Sequence, residues 1–509
     1  TVMNVSISTV AADLGTTISG MQAAITFYAL TMAALMLTGG KLGDIWGRKK
    51  AFVIGSIIYG FGSLLTAVSQ NLPSLMFGWS LVEGLGAILV IPAIAALAAV
   101  NYKGKDRVVA FSILGAVTGL AAALGPIIGG YVTTYLSWRY VFAAETVIMI
   151  MVLIVSGKIM DEKLTKKTTL DIPSVLLSAT GMGMLVFGVL QSKTWGWVVP
   201  KTIPVINGQQ VAPFNISLTA WFILAGIVVI KLFMSRQKKL EAAAKDALLK
   251  VSMLSIKALR AGLGVFMSQY FIIAALFFVV PVYLQTILGL DALQTGVKLV
   301  PLSIGLIIFS AIGSKQSAKR SPRQIVRVGQ AFMATGALFI IGSIEPELRT
   351  FAFKVGMFII GAGFGLLASQ LGNVNMSAVS KEDTAEVGGL QGTFQNLGSS
   401  FGTALVGSIF MMALTFNFNN TVQANPNVPQ ATKTQIASAT TDGVGIVSAD
   451  QATQILQSKG VDNDVTITIV GDYTDAQIKA LKEGMFFVFA MALLALLLSS
   501  NLPSTIKSE

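Results

Sequence analysis

Residues Gly115–Gly130 read GAVTGLAAALGPIIGG. The stretch reads as one transmembrane helix with glycines along one side. Gly115 and Gly119 are four apart, as are Gly125 and Gly129, so each pair shares a helix face. A bare backbone on that face lets a neighbouring helix approach closely. Pro126 removes a backbone donor and is expected to bend the helix. A chain that needs a bent, side-chain-poor helix is expected to have two halves that rock against each other.

The composition around this stretch fits. Of 509 residues, 54% are hydrophobic and only 12% charged, and the mean hydropathy is +0.73. Apolar runs of about 20 residues recur, the length that crosses a ~30 Å hydrocarbon core. They do not alternate apolar with polar, which excludes a transmembrane barrel. The chain reads as an all-α polytopic membrane protein. A net charge of +12 then reports topology, not nucleic-acid binding. With no cysteine and no histidine, disulfides are excluded and any proton-handling group must be Asp or Glu. No cleavable signal peptide is visible. The first apolar run ends at Asp13, too short to span, so residues are expected before Thr1.

Fourteen apolar segments follow one another: 1–12, 20–43, 51–69, 73–101, 108–135, 140–158, 172–190, 217–235, 261–289, 293–313, 325–344, 351–376, 386–414 and 484–501. A cytoplasmic N-terminus puts most of the 36 basic residues inside, in loops near Arg48, Lys105, Lys166, Lys239, Arg320, Lys381 and Lys507. The positive-inside rule favours that orientation, with both termini cytoplasmic. Residues 236–256 are charged and helix-prone, and read as an amphipathic cytoplasmic connector on the membrane surface. Residues 415–483 fall on the outer side. They include a strand-like Val465–Val470 and a helix-like 449–458, and are expected to form a small hairpin, to fold over the outer mouth or to remain disordered.

The loop Gly40–Lys50, GKLGDIWGRKK, joins segments two and three. Gly43 and Gly47 permit a tight turn, and Asp44 can cap a helix or pair with a cation such as Arg107. Such a cluster can latch one conformation. It can also be a plain positive-inside loop. Gly40, Leu42, Asp44, Gly47 and Arg48 match the loop signature of the major facilitator superfamily, which the chain resembles. Gly115, Gly119, Gly125, Pro126 and Gly129 are similar to that family's antiporter motif, typical of exporters. Ser137-Trp138-Arg139, Pro281–Gly289 and Gly388–Gly402 also look familiar, so the resemblance covers essentially the whole chain.

The resemblance implies the major facilitator fold: two six-helix bundles around a central cavity, here with two inserted transmembrane helices. The expected divisions are an N-terminal bundle 1–160, inserted helices seven and eight in 161–235, the connector 236–256, and a C-terminal bundle 257–509 that carries the loop 415–483. Fourteen spans point to the drug:proton antiporter branch, which includes quaternary-ammonium pumps. Gly313–Arg323, GSKQSAKRSPR, is a degenerate echo of the first loop that keeps its bases and has no acid.

Departures are informative. Relatives carry an arginine near a glutamine in segment four; here Ser80 and Glu83 occupy those places in Phe77–Gly86, FGWSLVEGLG. The acid that relatives often have before the Thr-x-x-Asn of segment one would precede Thr1. Glu83 is then the outstanding intramembrane acid. Charge at bilayer depth costs about 2.5–3.5 kcal/mol, so it should face the cavity as proton carrier or cation site, or hydrogen-bond a neighbouring helix. Glu145 is the second candidate for proton coupling, unless it is simply solvated near the outer boundary. Glu386 and Asp171 read as helix caps; Asp13, Asp291 and Glu483 read as solvated.

Phe27, Tyr28, Tyr270, Phe277, Phe278 and Tyr283 are candidates to line a greasy cavity, with lipid-facing or core packing as the plain alternative for each. Gln269, Gln285, Gln391, Gln395 and Asn396 are candidate polar anchors, because amides avoid lipid. There is no phosphate-binding loop for ATP, no cysteine or histidine metal cluster and no nucleophile with a base. The expected protein is therefore no enzyme and needs no cofactor. It is a monomeric exporter driven by a proton gradient, whose partners are a small lipophilic, cationic drug, protons and membrane lipids. The alternatives are a lipid or glycolipid transporter of the same fold and a non-transporting receptor. Bulky replacement at Gly125 or Gly129 is expected to impair transport without preventing insertion.

Overall fold

The structure, a computed structural model, describes residues 2–504 except 17, 161–168, 207, 381–382 and 441–442. The side chains of 2, 4–8, 18, 19, 22, 119, 122, 123, 126, 193, 206, 292 and 385 also lie outside the description. The expectations for Thr1–Asn4, Gly119, Pro126, Lys166, Lys381 and Lys507 fall there.

Each apolar segment meets a helix. They are α1 Val2–Asp13, α2 Ile18–Trp46, α3 Arg48–Ala67, α4 Leu72–Asn101, α5 Gly104–Tyr135, α6 Arg139–Ser156, α7 Ile172–Trp195 and α8 Leu218–Ala242. After these come α9 Lys257–Ile287, α10 Ala292–Gln316, α11 Pro322–Ser343, α12 Thr350–Met376, α13 Thr384–Ala424 and, after α14 Gln430–Ala439 and α15 Ala449–Ser458, α16 Asn463–Leu498. Twelve segments of the described residues are long and apolar enough to cross a membrane. α1 is too short at 12 residues, and α5 contains undescribed side chains. A two-residue antiparallel pair, Val205–Ile206 with Gln209–Gln210, lies in the α7–α8 loop.

Packing sorts the helices into two halves. α3 packs on α4 and α6, and α2 packs on α4. In the second half α12 packs on α10 and α11, and α13 on α9 and α16. The halves meet where α5 crosses α10 and α12 and where α2 and α4 cross α13. α7 lies against both α2 and α13, with α8 behind it. Many of the described contacts between halves gather at the end that carries Arg48. There Phe111 abuts Gly372, Pro92 abuts Gly388, Met36 abuts Gly392, and Ser310 Oγ donates to the Ser112 carbonyl at 2.6 Å.

Two expectations about the polar segments change. Val465–Val470 is not a strand but lies in the first two turns of α16. Asp462 caps that helix, and Thr466, Ile469, Tyr473 and Ala476 are buried at helical spacing. That stripe overrides the β-propensity of the branched residues. The helix over 449–458 is present as α15, started by a Ser448–Gln451 capping box. Tyr473 ties the incoming loop down, donating to the Gly445 carbonyl at 2.8 Å and accepting from Val447 N–H at 3.0 Å.

The connector is not a surface helix either. α8 stops at Ala242, and Ala244 takes a positive φ of 52°. The chain then turns back, because the buried Gln237 carboxamide oxygen accepts Leu248 N–H at 2.8 Å and Leu249 N–H at 3.2 Å. Leu248, Leu249 and Met253 bury in a cluster with Leu37 and Phe111 of one half and Leu259 and Val387 of the other. Burial against protein removes these side chains from water more completely than a membrane-surface helix would.

Candidate functional site

Glu83 closes a π-helical stretch, Met76–Glu83, within α4. A π-bulge inserts an extra residue into the ladder and re-aims side chains, which is why such bulges gather at functional sites. Here the wider turn directs Glu83 inward, and its side chain is 2% exposed. α3 approaches α4 almost backbone to backbone. A Cβ at Gly62 would lie 2.4 Å from Glu83 N, and one at Gly86 would lie 2.4 Å from Tyr59 N. Only glycine fits at either place.

That approach brings Ser63 to the acid. Ser63 Oγ donates to Glu83 Oε2 at 2.9 Å and lies 3.3 Å from Glu145 Oε2 on α6. The two acids read separately from the sequence are thus one pair joined through the Ser63 hydroxyl. Tyr59, one turn before Ser63, hydrogen-bonds to the same pair. Glu145 is half-buried beside α3, not solvated. Neither Ser63 nor Tyr59 was among the expected site residues. Their i, i+4 spacing on an apolar helix, flanking Gly60 and Gly62, is the signal that points to them. Near the pair, Tyr28 stacks on Trp79 with centroids 5.1 Å apart and planes at 14°. Ser80, in the place where relatives carry arginine, donates to the Ala24 carbonyl at 2.7 Å and pins α4 to α2.

The other expected cavity residues scatter. Tyr270 packs on Phe266 and is half-buried, and Phe277 packs against the core of the second half. Tyr283 is fully buried and donates to the Glu345 carbonyl at 2.8 Å, a structural anchor. Gln285 is exposed. Asn396 donates to the Gly392 carbonyl of its own helix at 2.9 Å, and Gln395 is half-buried. Gln269 Oε1 and Gln391 Nε2 are buried with no protein hydrogen-bond partner, as are amide atoms of Gln330, Gln370 and Asn375.

At the Arg48 end, Gly47 turns the chain between α2 and α3 with φ of 93°. Lys41 and Arg48 are buried, and Asp44 lies within electrostatic reach of both and of Asp383 and Lys250. Arg107 does not take the expected place beside Asp44. It reaches from α5 across to α12, where Nε donates to Asn373 Oδ1 at 2.7 Å and a terminal nitrogen donates to Ser377 Oγ. Lys250 pairs with Asp383, and its backbone N–H donates to Glu386. Glu386 therefore does not cap its own helix; its carboxylate holds the connector.

Gly115 does face a partner helix, since a Cβ there would fall 2.3 Å from Ala368 Cβ of α12. Gly125 is half-buried and Gly129 buried. Asp13 is not merely solvated: Trp138 Nε1 donates to it at 2.9 Å and Arg139 forms an ion pair with it. Arg139 also donates to the Ser69 carbonyl at 2.8 Å, and its guanidinium lies 4.5 Å over the Trp138 ring. Asp291 caps α10 through Gln294 N–H at 2.7 Å. Asp171 caps α7 as expected and accepts two hydrogen bonds from Arg236 of α8, at 2.8 and 2.7 Å. Those donors hold its carboxyl well below the usual carboxylate range.

Two packed helical halves, spans on both sides of a buried acid pair and a charged seam at one end define a polytopic membrane transporter. The family model described as Major Facilitator Superfamily matches residues 1–403, and the chain belongs to that superfamily. It is a transporter and not an enzyme. It is 27% identical to the probable actinorhodin transporter of Streptomyces coelicolor, over 81% of this chain and 69% of that one. It is 25% identical to the methylenomycin A resistance protein of Bacillus subtilis, over 82% and 85%, and 26% identical to the multidrug transporter protein MdtP of the same species, over 80% and 72%. Among solved structures, the proton:xylose symporter XylE shares the fold with a TM-score of 0.54 at 13% identity, covering 97% of this chain and 90% of that one. The human organic anion transporter MFSD10 does so with 0.53 at 12%, covering 97% and 88%.

Proposed function

We propose that the chain exports small lipophilic, cationic compounds across the cell membrane, exchanging each for a proton bound at Glu83 and Glu145. The single observation that carries the reading is the pair itself: two carboxyl groups joined through Ser63 inside an apolar bundle. Two carboxyls sharing one site resist simultaneous ionisation, so the pair suits the uptake and release of one proton. The relatives whose names speak of antibiotic resistance and multidrug transport support export of drug-like small molecules.

In the proposed cycle both termini are cytoplasmic and the Arg48 end faces the cytoplasm. The chain is a monomer of the fourteen-span branch, divided at 160, 235 and 256. α7 and α8 are the inserted pair. The halves close at the cytoplasmic end through Arg107, Gly115 and the Gly40–Lys50 loop. A proton arriving from outside occupies the acid pair and releases the drug; the halves rock, the proton leaves inward, and a drug cation replaces it near the Tyr28–Trp79 stack. A potential of 100 mV supplies about 2.3 kcal/mol per charge moved.

The test uses the full chain in proteoliposomes with ethidium as the probe. Wild type is expected to release protons on binding ethidium and to accumulate it against a pH gradient. Glu83→Gln is expected to abolish both, and Glu145→Gln to lower the accumulation at least tenfold. Full-rate proton-driven export by Glu83→Gln removes the pair from coupling.

A further inference from the structure

The loop between α7 and α8, residues 196–217, leaves large apolar side chains uncovered. Val198 is 60% exposed, Val199 75%, Val205 62% and Phe214 86%. The loop joins two membrane spans directly, since α7 ends at Trp195 and α8 begins at Leu218. It lies at the end away from Arg48, because the opposite ends of the two helices, at Asp171 and Arg236, sit beside the connector in the seam. An α-helix as long as α7 runs about 36 Å, enough to cross the hydrocarbon core, so the loop starts at the level of the headgroups. Trp195 packs on Phe187 and Phe222 at that level, and Trp221 packs on Phe214 with centroids 6.2 Å apart. Aromatic rings gather in this way where a span meets the interface.

The backbone fixes these side chains in place and ties up its own polar groups. Phe214 and Asn215 both take a φ of 55°, in the left-handed region that residues other than glycine rarely enter. Such strain persists only where the surroundings enforce it. Here Asn215 N–H and Ile216 N–H donate to the Ala212 and Pro213 carbonyls, at 3.0 Å each. Ser217 N–H donates to the Val198 carbonyl at 2.8 Å, which sets Val198 and Val199 beside the turn that carries Phe214. Ser217 Oγ donates to the Trp195 and Gly196 carbonyls at 3.0 and 2.9 Å, and Lys201 N–H also donates to Trp195 at 3.0 Å. Val211 N–H donates to the Pro204 carbonyl at 3.0 Å beyond the short strand pair. Pro200, Pro204 and Pro213 have no N–H to satisfy. Residues 196–217 hold one lysine and no acid. A nearly neutral loop with its backbone bonded internally loses little on leaving water, and its apolar side chains gain.

We propose that the loop 196–217 is a membrane anchor: Val198, Val199, Val205 and Phe214 enter the boundary between headgroups and acyl chains, and the partner of this surface is the lipid leaflet itself. The patch is continuous with a surface that already faces lipid, since Leu224, Ile227 and Val228 of the α8 span are likewise exposed. The contact is apolar and not ionic, so it needs no anionic headgroup. α7 lies against α2 of one half and α13 of the other. An anchored loop holds the α7–α8 pair in the leaflet beside that seam.

The sequence has no cysteine, so a single introduced one carries a fluorophore at a unique place. The test uses the full chain in phosphatidylcholine vesicles with Val199→Cys, Val205→Cys or Phe214→Cys, and with Gln457→Cys on the exposed face of α15 as the aqueous reference. The probes are iodide in the water on both sides and a nitroxide carried on the upper acyl chain of the lipid. At the three loop sites the lipid nitroxide is expected to quench strongly and iodide weakly, with the reverse at Gln457. Adding Phe214→Asp to Val199→Cys is expected to raise iodide quenching several-fold. High salt is expected to change neither pattern, because the loop carries almost no charge. Iodide quenching at the loop sites as strong as at Gln457 places the loop in water and overturns the proposal. Protection from both quenchers overturns it too, because a protein surface then covers the patch, as in a second copy of the chain. Insertion that appears only with anionic lipid overturns the apolar contact. Should Phe214→Asp fail to fold, the three labelled sites, all exposed, decide the question without it. None of these readouts depends on transport.

Discussion

The two halves of the molecule share a fold and differ in what fills it. The second half has one continuous apolar core running from Val265 to Leu502, with Phe353, Phe364 and Phe410 fully enclosed. Its deeply buried polar groups include the amides Gln269, Gln330, Gln370, Asn375 and Gln391. In the first half the buried residues fall into smaller clusters, around Trp79 and Trp138, around Met36 and Ile88, and around Phe52 and Val90. Between those clusters sit Glu83 and Glu145. Uninterrupted packing makes a rigid unit. A core that holds two carboxyl groups can change its charge. The difference sets one continuous apolar core in the second half against an enclosed pair of acids among smaller clusters in the first.

The largest effect tests that division directly. Phe410 is fully buried and packs edge-on against Phe278 at 6.1 Å. Phe410→Ala is expected to lower stability by about 3–5 kcal/mol through lost burial and a cavity. Denaturation in detergent reads the loss, and proton release per folded molecule should persist. Glu83→Gln should do the opposite, leaving stability unchanged or higher, because a neutral amide is easier to bury than a carboxyl that ionises. If Glu83→Gln destabilises as strongly as Phe410→Ala, the pair is structural and the comparison fails.

A smaller effect falls on the hydroxyl between the acids. Ser63→Ala removes the hydroxyl that donates to Glu83 and lies beside Glu145, leaving Tyr59 as their partner, which is expected to cost about 1 kcal/mol. Export should fall roughly tenfold, and Ser63→Thr should recover most of it by keeping the hydroxyl. An equal loss in the alanine and threonine variants means that space, not hydrogen bonding, is what matters at Ser63.

Some of this was legible in the residues and some was not, for physical reasons. The spans were legible because hydrophobic length is local. Glu83 was legible because an acid inside an apolar run is costly and needs a reason. Its partners were not. Ser63 is 20 residues from Glu83 and 82 from Glu145, and only the packing of α3 between α4 and α6 unites the three. Arg107 was assigned to Asp44 from charge alone, whereas the crossing of α5 over α12 sends it to Asn373 and Ser377. Local propensity misread Val465–Val470, where a buried stripe at helical spacing outweighs β-branching. The connector was misread in the same way: its charges suggested a membrane surface, but Leu248 and Leu249 are drawn into the seam between the halves.

The smallest effect lies outside both halves, in the α7–α8 pair that flanks their seam. Asp171 caps α7 and binds Arg236 of α8 through two hydrogen bonds, which hold its carboxyl below the ordinary range. A group with a depressed folded-state pKa contributes stability above its unfolded pKa, about 3.9. That contribution is lost as pH falls through the folded value. The Arg236 side chain is 37% exposed, so solvent screens the pair and its contribution is small. Wild-type stability should therefore carry a shallow acid-side decline below about pH 4 from this site, and Asp171→Asn should remove that part of the slope while barely changing stability at neutral pH. Export should be unaffected, since neither residue reaches the acid pair. A loss of export in Asp171→Asn as deep as that in Glu83→Gln would place the α7–α8 pair inside the mechanism and turn the contrast between two halves into one among three parts.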